Sequence, residues 1–300
     1  MYVCFFYILA QKIGRMSNKS NDTAIYIAIA VFCCLLLSFP IYRTCSANRH
    51  ANFSEETETS QTDEVHQLFK TSAISYPKIS ANLKSLILER SNYVLSFNTD
   101  WNVPNWVAWE LNTEKLAENV SRRGFNFIPD PDLPPEDAVQ WNEYRGSGLS
   151  RGHMCPAADS RWSAEAMSES FYMTNVCPQN TELNNGDWQE LERSCRRWVQ
   201  REGQLFIVCG PIFYKDNNNY IGTIHRIRVP DAFFKVVLCL TSDVPKGIGF
   251  IFKNKEGNQR MGAFVNTIDE VERITGFDFF SELDDRIEEQ VEAECDLNLW

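Results

Sequence analysis

Apolar and polar positions divide the chain into three regimes. Residues 24–42 form an unbroken apolar run of nineteen residues with no charge. That length matches a bilayer core of roughly 30 Å, and Lys19 and Arg43 flank it as they would a membrane span. Residues 46–75 are polar, rich in Ser, Thr and Glu, and too poor in apolar groups to offset the entropy of ordering them. They read as a tether, with His50 and His66 as solvated side chains. From Tyr76 onward the pattern is that of a folded domain.

Within that domain the aromatic and β-branched runs at 93–97 and 106–111 predict strands, joined through Asn- and Pro-containing turn chemistry. Residues 171–177, 204–208, 233–240 and 247–252 predict four more. Four prolines in 125–136 exclude a helix and predict an extended crossing. Everything from 76 to 136 reads as scaffold. Trp188, Leu191, Cys195 and Trp198 recur at helical spacing and predict a helix over 187–200, with Asn184 and Asn185 at its N-cap. Residues 269–275 and 279–294 predict two further helices. The expected fold is α+β, built on a mostly antiparallel sheet and preceded by a transmembrane helix. The boundaries are 1–45 for the anchor, 46–75 for the linker and 76–300 for the domain.

Lys12, Arg15 and Lys19 before the apolar run slightly outweigh Arg43 and Arg49 after it. This bias predicts a membrane-anchored chain whose domain lies on the extracytoplasmic side, or an exported domain if the segment is cleaved. Met16 offers an alternative start. Ten cysteines show no zinc-site spacing. Export would make one or two disulfides plausible among the domain cysteines.

The formal net charge of −11 argues at first against a polyanionic ligand. Its distribution removes that objection. Residues 269–300 hold twelve carboxylates against Arg273 and Arg286, which leaves the rest of the chain close to neutral.

One stretch, 150–192, gathers Arg151, His153, Asn175, Asn184 and Glu192 within a single supersecondary unit. Its residue types recur in phosphoryl-transfer chemistry. The N-terminus of the predicted helix would attract a phosphate, and Arg193, Arg196, Arg197 and Arg201 add positive charge along it.

The stretch resembles the DNA/RNA non-specific endonuclease family, the ββα-metal nucleases that include endonuclease G. The residues carrying the resemblance are Ser150-Arg151-Gly152-His153, where the family has DRGH, then Thr174-Asn175, then Leu183-Asn184 through Trp188, Leu191 and Glu192. Similarity extends over about residues 90–280, including Val208-Cys209-Gly210-Pro211 and Val229-Pro230-Asp231. The resemblance implies a metal-dependent endonuclease cutting DNA, RNA or both with little sequence preference. It implies His153 as general base, Asn184 as direct ligand of Mg²⁺ or a similar cation such as Mn²⁺, and Glu192 orienting metal-bound water. Arg151 would stabilise phosphate charge, and Asn175 would help hold the site or the substrate.

Structural readings stand beside these roles. His153 could support a tight glycine turn, Asn184 could be an N-cap, Glu192 could pair with Arg196, and Asn175 could be purely structural. His225 reads as a substrate-side contact or a surface residue. Ser150 in place of the motif's Asp retains hydrogen bonding without charge. The other functions to be weighed are a catalytically silent binding relative and a phosphodiesterase for a smaller substrate.

Overall fold

The computed structural model describes residues 76–79, 83–214 and 216–300. The apolar segment 24–42 and the tether 46–75 lie outside the described residues. Among the described residues, no helix is long and apolar enough to cross a membrane.

Strands that are apolar at nearly every position need cover on both faces. Here they form one seven-stranded sheet. Its members are β1 (Leu86–Glu89), β2 (Val94–Asn98), β3 (Val103–Asn112), β6 (Gln204–Ile212), β9 (Ala232–Cys239), β10 (Lys246–Lys253) and β11 (Val265–Asn266). They run in the order β1-β2-β3-β6-β9-β10-β11, and every pairing is antiparallel. A separate antiparallel pair, β4 (Ser150–His153) with β5 (Val176–Gln179), carries the chemistry-bearing motif. A second small pair joins β7 (Tyr220–Ile221) to β8 (Ile227–Arg228).

Side-chain alternation along β9 divides the core into two layers. Phe233 and Lys235 face the long helix Asp187–Glu202, where Trp188 meets the Phe233 ring at 5.7 Å and the Lys235 ammonium at 4.5 Å. Phe234 points to the other face and meets Phe277 and Phe279 from the C-terminal region. Helices Ile268–Thr275 and Asp285–Ala293 cover that second face. They approach β10 so closely that a Cβ on Gly247 would lie 2.3 Å from the Val291 carbonyl oxygen, so only glycine fits there.

Several expectations need correction. The strand predicted at 171–177 is a 3-10 turn, Met173–Asn175, followed by the shorter β5. Its apolar side chains are buried in a turn tied down by Met173 N–H to the Ile128 oxygen, so the run does not alternate as a strand would. The helix predicted from 279 begins at Asp285, capped by Asp284, because Phe279 and Phe280 are drawn into the core. Asn184 and Asn185 do not cap the long helix. They end a separate short helix, Thr181–Asn185, which Asn180 caps by accepting from the N–H groups of Glu182 and Leu183, and Gly186 is the N-cap residue of the long helix. No disulfide forms among the described residues. Cys155, Cys177, Cys195, Cys209, Cys239 and Cys295 are free thiols.

Phe250 tests the layer beneath the long helix without touching the motif. It is fully buried and stacks on Trp198 at 6.2 Å. Phe250→Ala is expected to cost about 3–5 kcal/mol in urea unfolding, as deletion of a buried ring does. A loss below about 1 kcal/mol would contradict this packing.

Candidate active site

β4 presents its alternate residues to one side, so Arg151 and His153 project together while Gly152 faces away. Gly152 is required for packing. A Cβ there would sit 2.2 Å from Gln179 Oε1 on the paired strand. The spacing Arg-Gly-His therefore places a cation and an imidazole side by side above a tightly packed pair of strands.

The His153 ring is held by two aromatic rings, Phe127 at 4.9 Å and Phe171 edge-on at 5.1 Å. Arg151 lies over Phe127 at 4.8 Å, and Arg122 over Phe171 at 5.2 Å. Nε2 of His153 makes no hydrogen bond to the described residues. Burial, aided by the charges of Arg122 and Arg151, pushes the imidazole down to about 3. It is neutral at physiological pH, with a ring nitrogen to spare.

Glu192 reaches the same cleft from the long helix. Among the described residues it forms no ion pair, because Arg196, its i+4 neighbour, pairs at 2.6 Å with Asp159 instead. Burial pushes the Glu192 carboxyl up to about 7, although Lys235 and Arg196 act in the opposite direction. Lys235 is fully buried behind the site, its ammonium between the Trp188 ring at 4.5 Å and the Trp109 ring at 4.7 Å. Asn184 is half-buried on the short helix, and its only side-chain hydrogen bond among the described residues is a long one from Nδ2 to Asn185 at 3.4 Å. Its carbonyl oxygen is thus available to a ligand. Ser150 bonds through its hydroxyl to that of Thr181 at 2.9 Å, tying β4 to the start of the helix that carries Asn184.

These side chains line one cleft of about 920 Å³. Six arginines surround it (Arg122, Arg145, Arg151, Arg161, Arg193 and Arg196), and among the described residues Glu192 is the only carboxylate in its wall. The donor set suits a hard divalent cation, since an amide oxygen and an unpaired carboxylate are ligands such ions accept. The rest of the wall suits a polyanion.

The family model for DNA/RNA non-specific endonuclease matches residues 70–286. The chain belongs to the DNA/RNA non-specific endonuclease family. It is 34% identical to mitochondrial nuclease EXOG of Mus musculus over 209 residues, covering 65% of this chain and 56% of that protein. It is 32% identical to a nuclease of Nostoc sp. over 255 residues, covering 80% of this chain and 89% of that protein. A solved structure of an EndoG/EndoGI complex superposes with a TM-score of 0.64 at 27% identity, covering 70% of this chain and 91% of that one.

Against the family motif, the structure brings Arg151, His153, Asn184 and Glu192 together in the cleft. Asn175 holds the site without facing into it. It does not line the cleft, and its fully buried amide is wholly engaged. Oδ1 accepts from Cys155 N–H, and Nδ2 donates to the carbonyls of Cys155 and Ser170, all at 2.9 Å. It clamps the turn that follows His153 and has no atom free for substrate. His225 does not line the cleft either. It is clasped by Glu143 and by the Glu136 carbonyl, and although burial opposes its charge, the Glu143 carboxylate raises its pKa. Of the helix arginines, Arg193 and Arg196 face the cleft, whereas Arg197 pairs with Glu190 and Arg201 with Glu202. Sequence reasoning missed Arg122, Arg145, Arg161 and the aromatic support from Phe127. The Arg122-Arg123-Gly124 cluster was the one local hint within a region read as scaffold.

The two histidines of the described residues are expected to titrate on opposite sides of the ordinary value of about 6.5. For His153 the folded value is depressed, so the folded state loses stability as pH falls from about 6.5 toward 3. Glu192 has the opposite sign, its stabilisation being lost as pH rises from about 4.5 through 7. In the metal-free chain, the imidazole C–H resonance assigned by its absence in His153→Gln should show no inflection between pH 5.5 and 7.5. An inflection near 6.5 would contradict the burial described.

Proposed function

We propose that this chain is a metal-dependent endonuclease that hydrolyses phosphodiester bonds of DNA, RNA or both with little sequence preference. One observation carries the reading: a neutral, unpartnered imidazole stands in a cleft walled by six arginines. Arginine forks match phosphate oxygens bidentately, and contacts to the backbone position a nucleic acid without reading its bases. The name of the mouse relative, a nuclease, points the same way.

His153 Nε2 accepts the proton of the attacking water. The depressed pKa does not disable it, because an anionic phosphodiester between Arg122 and Arg151 offsets the cationic field that helps hold the pKa down. Those arginines bind the non-bridging oxygens and keep the scissile phosphate in line with the water. Asn184 Oδ1 would hold a Mg²⁺ or Mn²⁺ ion, and Glu192 would accept hydrogen bonds from its hydration shell. When bound, such an ion supplies positive charge for the pentacovalent phosphate and the leaving oxygen. Asn175 and the Ser150–Thr181 bond position the strand and helix that carry these groups. The apolar segment 24–42 would tether the domain to a membrane, with the cleft on the extracytoplasmic side.

The full-length chain should nick supercoiled plasmid and fragment RNA with Mg²⁺ or Mn²⁺ and do neither with excess chelator. At subsaturating substrate the rate should fall steeply with salt, and Arg122→Ala should flatten the log–log slope by about 1. Binding without chelator-sensitive cleavage would identify a silent relative. Cleavage confined to a small diester such as bis(p-nitrophenyl) phosphate would identify a phosphodiesterase for smaller substrates.

A further inference from the structure

The acidic C-terminal region, which the cleft does not use, converges on one point. Asp269 and Glu272 stand three residues apart on one face of helix Ile268–Thr275, and Glu292 lies in the last turn of helix Asp285–Ala293. One carboxylate oxygen from each lies within 4.8 Å of the other two. A second observation concerns Glu292 itself. The residue is only 8% exposed, and its buried Oε1 has no hydrogen-bond partner.

A buried carboxylate oxygen without a partner is costly, and its surroundings make this one more so. Glu288 and Asp278 add negative charge nearby, and the C-terminal end of a helix disfavours an anion. Local cations are engaged elsewhere. Arg273 holds Glu270 through two bonds of 2.7 Å, and Lys78 acts on Glu288. Among the described residues, no ion pair reaches Asp269, Glu272 or Glu292. The cluster therefore requires either protons or a cation.

We propose that Asp269, Glu272 and Glu292 form a calcium site that staples the two C-terminal helices together over β10. Three carboxylates from two helices, with Asp269 exposed to admit the ion and its remaining waters, suit a cation that takes 6–8 oxygen ligands at about 2.3–2.6 Å in flexible geometry. Magnesium requires a tighter octahedron and gives up its waters reluctantly. The site shares no residue with the cleft, and Glu292 lies beyond residue 286, where the family match ends. Its consequence is mechanical. The helix bearing Glu292 rests directly on the backbone of β10 at Gly247, so the ion would fix that contact and neutralise the most acidic part of the chain.

The test uses the full-length chain carrying Asn184→Ala, so that a cation at the cleft does not contribute. Thermal melting is followed with calcium chloride, magnesium chloride or chelator. Calcium at about a hundredfold excess over half-saturation should raise Tm by roughly 5–10 °C, and magnesium far less. Adding Glu292→Gln should abolish the shift while leaving Tm in chelator no lower, because it removes a repelled carboxylate. If that variant does not fold, Asp269→Asn serves instead, with equilibrium dialysis against calcium expected to register the loss of one bound ion. An unmoved Tm, a shift that survives Glu292→Gln, or stabilisation by acid alone with calcium inert would overturn the proposal. None of these readouts depends on cleavage of nucleic acid.

Discussion

Asp159 sits where three parts of the domain meet, and the geometry of the cleft depends on the bonds it makes there. It is 1% exposed, in the turn Ala157–Asp159 just after β4. Its carboxylate takes Arg196 from the long helix at 2.6 Å and the Trp109 indole N–H from β3 at 3.2 Å. Its backbone oxygen takes the Asn92 amide at 3.2 Å. Removing one partner of such a buried pair leaves an uncompensated charge, at a cost of about 3–5 kcal/mol. Because the pair joins the segment after His153 to the helix that bears Glu192, it sets how far the imidazole stands from the carboxylate. Lys235, enclosed by Trp109 and Trp188, supplies the second cation against Asp159 and Glu192. The site therefore rests on two cations, Lys235 fully buried and Arg196 partly exposed, facing two carboxylates.

Net charge proves a poor guide to what this chain can hold. Nearly all of its net negative charge is concentrated in the last thirty-two residues, whereas among the described residues the cleft wall carries six arginines and one carboxylate. Charges further apart than a Debye length, about 8 Å at physiological salt, contribute little to one another's fields. A phosphate at the cleft meets the local arginines. The acidic end of the chain has its own electrostatic problem, which a cation of its own would solve.

Much of this was legible in the sequence for physical reasons. The central strands were recognisable because strands buried on both faces must be apolar throughout, and the long helix because Trp188, Leu191, Cys195 and Trp198 repeat at its period. Arg151 and His153 were legible because two residues on one strand face are also close in sequence. What escaped depended on tertiary structure. Arg122, Arg145 and Arg161 come from irregular segments and meet only when the chain folds around β4. Three asparagines near 180–185 all suit a cap, and local preference could not show that Gly186 breaks the region into two helices with Asn180 as the cap. Asn175 looked chemical because an amide can serve a substrate as well as a backbone, and only the positions of Cys155 and Ser170 decide between them. Phe279 and Phe280 fit a helical pattern, yet Phe234 holds Phe279 in the core.

The proposed chemistry requires His153 to act as a base within an intact cleft. Single-turnover cleavage of duplex DNA by His153→Ala, with substrate affinity measured in parallel, separates chemistry from binding. The arginine wall predicts affinity within a few-fold of the parent, and loss of general base catalysis predicts a rate constant lower by roughly 10²–10⁴. A variant that binds and cleaves at the parental rate would contradict it.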